Sequence, residues 1–365
     1  MRYSLSVRIF FDFLSRHKRH VATLALVFGF VVDIITFQNL NLTLALWLLS
    51  AHLVIVAGSI FILSIPNKGE RGLAKFIHSW LPVALQYSTG NLLSAFLVLY
   101  SGSGSLVQSW PFFALVAVAA IGNEGLRFDT SVLPFRTTLL YLNILLFSAL
   151  AVPVRLGAIG MWTFLTSVAV SSAVFIAYIY LGRLFLKTSF RGSFGRIQKN
   201  AATILFVFLV LYFTNLIPPI PLSIKAVDFY HDVYKTNAAY IGLDEKRPFY
   251  ERFFSLSGIT LHLSSGSPAF VYTAIFAPAK LNTSIVHRWQ YFDTSSGTWV
   301  TKNEVSFPII GGRNDGYRGY SFTENPEAGK WRVVVATARG QVVGRAYVTI
   351  RHPEEEVSFS AIVLE

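Results

Sequence analysis

The chain of 365 residues contains no cysteine. Disulfide frameworks, Cys-ligated metal sites and thiol nucleophiles are therefore excluded. Motifs with known catalytic mechanics are missing as well: there is no H-E-x-x-H, no G-x-S-x-G, no Walker loop and no pair of intramembrane carboxylates. The long apolar runs show no clear halves, which weakens a reading as an inverted-repeat transporter. Charge is wholly absent from two short connections between apolar runs, Gln38–Leu42 and Ser101–Val107. That last absence orients the protein.

Seven apolar runs precede Pro221, at about Val21–Phe37, Thr43–Ser64, Ile77–Tyr100, Gln108–Ile121, Thr137–Val154, Ile159–Leu186 and Ala201–Ile217. Most approach the ~20 residues that cross a ~30 Å hydrocarbon core as helix. Basic residues cluster in alternate connections. The N-terminal segment has Arg2, Arg8, Arg16, Lys18 and Arg19, and the second connection Lys68, Arg71 and Lys75. The fourth has Arg127 and Arg136, and the sixth Arg183, Lys187, Arg191, Arg196 and Lys199, whereas the fifth has only Arg155. Short basic loops stay in the cytoplasm, so the pattern predicts seven spans, a cytoplasmic N-terminus and an outside C-terminal region.

The net charge of +12 is uneven: residues 1–221 hold 16 basic and 5 acidic side chains, residues 222–365 hold 15 and 14. The excess lies beside the spans, so its expected partner is the anionic face of the bilayer and not nucleic acid. Residues 1–20 mix Arg with Leu5, Ile9, Phe10, Phe13 and Leu14 and run directly into the first apolar run. They read as a basic amphipathic segment on the cytoplasmic surface, not as a cleavable signal.

Within the predicted membrane region, residues 21–221, Asp33, His52, His78, Gln86 and Asn143 are polar, and Glu124 lies in the Gly122–Asp129 boundary. Ionisable groups are costly in lipid, so Asp33, His52, His78 and Glu124 are intramembrane candidates for transport or for chemistry on a lipid-linked substrate. The alternative is structural: Asp33 and His78 sit near interfaces, and a mid-span His or Asn often bonds a neighbouring helix.

Beyond the prolines at 218, 219 and 221, which favour a stiff extended exit, residues 222–254 are rich in aromatics and read as an interfacial linker. Period-two alternation then predicts strands at Ile259–Leu263, Ala269–Phe276, Ser284–Phe292, Thr298–Phe307, Tyr317–Thr323, Trp331–Ala338 and Val342–Arg351. Seven short strands over residues 255–352 predict an all-β, immunoglobulin-like antiparallel sandwich. Residues 353–365 start with Glu354, Glu355 and Glu356 and read as a peripheral acidic tail.

The run Gly311–Ser321 offers glycines for a tight approach, Arg313 and Arg318 as fork-shaped donors, Asp315, and Tyr317 and Tyr320. With Trp289 and Trp299 as stacking faces, it forms a candidate surface for an anionic or sugar-bearing partner. The competing reading assigns the aromatics to the core. In a strand, Tyr317 and Arg318 face opposite sides, with Tyr317 expected inward. His262 and His287 have no carboxylate or histidine at ligand spacing, so neither a metal nor another cofactor is expected.

Several pieces occur in a familiar order: Phe270-Val-Tyr-Thr-Ala-Ile, His287-x-Trp289, Gly311-Gly-Arg313, Gly316-Tyr-Arg318, Gly329-x-Trp331-Arg-Val333 and Thr337-x-x-Gly340-x-x-x-Gly344-Arg345. Over about residues 265–352 the chain resembles the bacterial family called domain of unknown function 2914. The resemblance implies a β domain in a bacterial envelope protein and carries no activity with it. The expectation is a non-enzymatic inner-membrane protein whose outside β domain binds a glycan or a protein. The alternative is a transporter or lipid-linked-substrate enzyme.

Overall fold

The computed structural model describes residues 42–65, 73–125, 133–236, 239–245, 259–277, 282–310, 317–353 and 358–364. The N-terminal amphipathic segment, the first apolar run with Asp33, and Arg313 and Asp315 lie outside the described residues.

Six helices come first: α1 (Leu42–Leu63), α2 (Leu73–Ser101), α3 (Trp110–Gly125), α4 (Leu133–Leu156), α5 (Met161–Phe185) and α6 (Lys187–Phe213). By length and composition α1, α4, α5 and the Gly192–Phe213 part of α6 can cross a membrane; α3 carries a shorter apolar stretch. Several of their hydroxyl and amide donors bond within their own helix. Ser50, Thr137, Ser167 and Asn143 each donate to a carbonyl one turn back, at 2.7, 2.8, 2.9 and 2.8 Å. Such back-bonding lets a polar residue sit in an apolar helix without a partner elsewhere.

The chain divides into two compact units. One holds the described residues up to Leu99, with Pro111–Ser148 and Val168–Val210. The second holds Tyr100–Trp110, Ala149–Ser167 and everything from Leu211 onward, so the strands share a unit with helix ends and the loops next to them.

Eleven strands are described. A three-stranded sheet of β1 (Ser223–Tyr230), β5 (Ala269–Phe276) and β8 (Tyr317–Thr323) has the order β1-β5-β8. A five-stranded sheet of β4 (Ile259–His262), β6 (Asn282–Asp293), β7 (Thr298–Ile310), β9 (Gly329–Thr337) and β10 (Val342–Arg351) has the order β4-β10-β9-β6-β7. All of its pairs are antiparallel except β4 with β10. The two sheets enclose one core of Phe229, Val271, Ile275, Ile285, Trp289, Trp331, Val333 and Val348, among others. The strands predicted from alternation are all present; β5, β8 and β10 have the predicted ends.

Two expectations are corrected. Residues 222–254 are not merely an interfacial linker: β1 pairs along its length with β5, and Phe229 is 1 % exposed in the core. The tail is not merely peripheral: β11 (Phe359–Leu364) pairs with β3 (Tyr240–Glu245), which pairs with β2 (Asp232–Lys235). This third sheet buries Tyr230, Val233 and Leu364 together with Tyr272 and Ala274 of β5. The central strand of the small sheet is thereby covered on both faces, which explains its continuous apolar run.

The prolines do not form a free spacer either. Ile217–Leu222 is buried throughout. A Cβ added at Gly104 would lie 2.8 Å from Pro218, so glycine is needed where the Tyr100–Trp110 loop meets the proline segment.

Candidate functional site: an aromatic face on the β unit

Strand alternation places Phe270 opposite Phe322, Tyr272 opposite Tyr320, and Ala274 opposite Arg318 on the outward face of β5 and β8. Tyr272 is buried under the third sheet, but Tyr320 and Phe322 remain 38 % and 43 % exposed. Their rings join a row: Phe322 to Phe270 5.3 Å, Phe270 to Tyr320 6.3 Å, Tyr320 to Tyr240 6.2 Å and Tyr240 to Tyr272 5.8 Å between centroids. Polar groups edge the row. Lys235 Nζ lies 5.7 Å from the Tyr240 ring, the Tyr240 hydroxyl donates to the Arg318 carbonyl at 3.4 Å, and Asn303 Nδ2 donates to the Phe322 carbonyl at 3.1 Å. Exposed aromatic rows with a polar rim often mark interaction sites, which makes this row the candidate surface.

The candidate residues are not all brought together. Tyr317 packs against the core while Arg318 and Tyr320 take the other face. Trp289 is fully buried, so it is removed as a stacking face. The alternation of Ile285, His287 and Trp289 against the polar Arg288 and Gln290 could have signalled this. Trp299 lies elsewhere, against Phe292 and Tyr347 at 5.2 and 6.0 Å, with the Arg332 guanidinium 4.3 Å over its ring.

His287 belongs to a buried network that the sequence did not reveal. It sits on β6 and bonds across to the other sheet, Nε2 to Thr273 Oγ1 at 3.0 Å and Nδ1 to Ser321 Oγ at 2.9 Å. Trp289 Nε1 donates to the same Ser321 Oγ at 3.0 Å, and Thr273 Oγ1 donates to the Gly319 carbonyl at 3.4 Å. One assignment satisfies every group: the indole donates to Ser321, Ser321 donates to Nδ1, Nε2–H donates to Thr273, and Thr273 donates to Gly319. It requires a neutral imidazole, and burial pushes His287 down to about 3. Gly319 is needed there because a Cβ would lie 2.7 Å from the Phe307 ring. A solvent-excluded Ser–His contact of this kind stitches two sheets together.

Histidine and carboxylate do meet, though not at ligand spacing in sequence. Glu245 Oε1 contacts His231 Nε2 at 2.9 Å and accepts from the His262 backbone N–H at 2.6 Å; Oε2 contacts His262 Nδ1 at 2.8 Å. Burial raises the Glu245 carboxyl, but the hydrogen bonds from His231 and His262 together outweigh it and hold the group at about 2. The carboxylate ties β3 to β4 and to the β1–β2 corner. Among the described residues no group of three His, Cys, Asp or Glu is arranged to hold a metal ion.

The motif Thr337-x-x-Gly340-x-x-x-Gly344-Arg345 makes its side-chain contacts with segments that precede β1. Arg345 Nη1 donates to Ser105 Oγ at 3.0 Å, and Nη2 donates to Gln108 Oε1. Gln341 Nε2 donates to the Ile217 carbonyl at 3.2 Å, Asn215 Nδ2 donates to the Arg339 carbonyl at 3.4 Å, and the Arg339 guanidinium lies 3.9 Å over Tyr212. These contacts seat the β9–β10 hairpin on the proline segment and the Tyr100–Trp110 loop.

In the helical unit His52 is half-buried, its ring 6.2 Å from that of Tyr87, and His78 is half-buried. Glu124 lies within α3, its side chain outside the description. A cavity of about 20 Å³ is lined by Gln86, Thr89, Asn123 and Arg136, room for about one water. His52 is not among its lining residues.

No curated protein matches the sequence. Among solved structures, an immunoglobulin-like protein from Pseudomonas aeruginosa is 11 % identical, covering 36 % of this chain and 96 % of its own, with a TM-score of 0.20. A Pseudomonas fluorescens alkylpurine DNA glycosylase, AlkC, bound to DNA with an abasic-site analogue is also 11 % identical, covering 82 % and 97 %, with a TM-score of 0.23. Neither likeness carries an argument at those scores. Residues 282–350, spanning β6 to β10 and including the His287–Trp289 pair and the Arg345 motif, match the family described as protein of unknown function (DUF2914).

Proposed function

We propose that this is a multi-pass, non-enzymatic protein of a bacterial inner membrane, with seven spans and a cytoplasmic N-terminus, whose β unit lies outside and binds an envelope glycan or protein. The single observation that carries the binding reading is the half-exposed row of Phe270, Tyr320, Phe322 and Tyr240, rimmed by Arg318 and Lys235. Aromatics and Arg at a surface centre supply much of the energy of recognition. The alternation of basic loops supports the orientation.

The test uses the full chain in detergent, sedimented with purified peptidoglycan sacculi. Wild type should co-sediment, and Tyr320→Ser with Phe322→Ser should weaken this by about tenfold or more. Absence of sedimentation by wild type would reject the glycan branch; a photo-crosslinking residue at Tyr320 would then have to yield one defined protein adduct. Because the chain has no cysteine, single cysteines report topology directly. A cysteine at Ala328 should be labelled from outside and one at Lys68 only from inside.

A further inference from the structure

We infer that the helical unit holds one anionic phospholipid of the inner leaflet in a groove formed by α4, α5 and α6. The inference rests on the orientation proposed above, and its readout is independent of what the β unit binds. The groove measures about 450 Å³ and is open along one side. That is the size of a small-molecule site. Its walls are apolar for most of their length, with Phe175, Ile176 and Ile179 on α5 facing Ala201, Ala202 and Leu205 on α6. The two alanines leave the space that a larger side chain would fill.

The ends of the groove are polar and unlike each other. At one end the Tyr141 hydroxyl bonds Ser172 Oγ at 3.0 Å. At the other the Arg183 guanidinium lies 4.2 Å over the Phe194 ring, with Gln198 beside it in the lining. Arg183 is exposed and is the charged residue of the groove lining. Ser172 and Arg183 are both lining residues of α5, so at ~1.5 Å per residue the groove runs roughly 16 Å between them. Half of a ~30 Å hydrocarbon core is roughly 15 Å. An acyl chain laid on the alanine face thus reaches one leaflet's depth while its phosphate meets Arg183 at the interface. The mouth is cationic, so the lipid that fits carries net negative charge.

The experiment is native mass spectrometry of the full-length protein, extracted from membranes of phosphatidylglycerol and phosphatidylethanolamine. Wild type should retain one phosphatidylglycerol. Arg183→Gln should reduce its preference over phosphatidylethanolamine about fivefold, the factor one basic side chain contributes at an anionic leaflet. Ala202→Phe should expel the bound lipid of either kind while the helical circular dichroism stays unchanged; if that variant misfolds, Ala201→Leu serves the same purpose. Equal retention of the two lipids by wild type, or full retention after the groove is filled, would overturn the inference.

Discussion

Polar side chains do different work in the two units. In the helical unit Ser50, Thr137 and Asn143 bond their own helix one turn back, beside longer-range contacts such as the Tyr178 hydroxyl to the Ala57 carbonyl at 3.1 Å. In the β unit His287 reaches Ser321, Glu245 reaches His231 and His262, and Arg345 reaches Ser105. A helix satisfies its backbone internally and can absorb a hydroxyl locally, whereas a sandwich must tie together strands that are distant in sequence. In the family-like region His287 and Trp289 bond across the two sheets, Arg345 bonds Ser105, and Gly344 leaves room for Ile224 of β1, which a Cβ would meet at 2.5 Å. The aromatic face is where the β unit is proposed to meet a partner.

The comparison breaks first, and most visibly, at the domain boundary. A fragment of residues 255–352 should fail to fold, because it lacks Leu222 and β1 with Phe229, which complete the core. Residues 222–365 should give a strand-dominated circular dichroism spectrum. A folded, monomeric 255–352 fragment would mean that the β1–β5 pairing is dispensable.

Next in size is the buried network. His287→Ala should lower unfolding stability of the β unit by about 3 kcal/mol, leaving buried Ser321 and Thr273 short of partners. Glu245→Gln should cost about 2 kcal/mol at pH 7, the scale of a lost charge-assisted clamp. Melting temperature in chemical denaturant, read at the strand wavelength, separates the two.

Acid should act in two windows. His287 falls from 6.5 to about 3 on folding, so the unfolded chain binds the extra proton and the stabilisation is lost as pH drops from 6.5 towards 3. Glu245 falls from 4.5 to about 2, so its contribution is present above pH 4.5 and lost below it. His287→Gln should flatten the upper part of the stability–pH curve and leave the lower part in place. An unchanged upper slope would show that the buried imidazole is not its source.

The smallest effects belong to the helical unit. Ser50→Ala should be nearly neutral, since it deletes a bond within one helix, and Tyr141→Phe should cost about 0.6 kcal/mol, a typical interhelical bond in a membrane. If either matched His287→Ala, the contrast between the units would not stand.

Much of the architecture is legible in the sequence. Apolar run lengths located the helices, because a hydrocarbon core demands a minimum length. Period-two alternation located the seven strands of residues 259–351, and it placed Tyr317 inward and Arg318 outward, because successive side chains in a strand point to opposite faces. What alternation lacks is a partner. It does not say that Ser223–Tyr230 adds to β5, that Phe359–Leu364 pairs with Tyr240–Glu245, or that Glu245 finds two histidines at positions 231 and 262. Those are pairings across a distance, decided when strands choose neighbours. So is the fate of Trp289, which the composition offered as a stacking surface and the packing of two sheets buried. The sequence by itself determined the apolar helices and the seven strands of residues 259–351 with their faces, because these follow from local geometry. Only the tertiary structure decided which aromatics stayed exposed, because exposure depends on what lies over a face, and here the third sheet covers Tyr272 and leaves Tyr320 and Phe322 open.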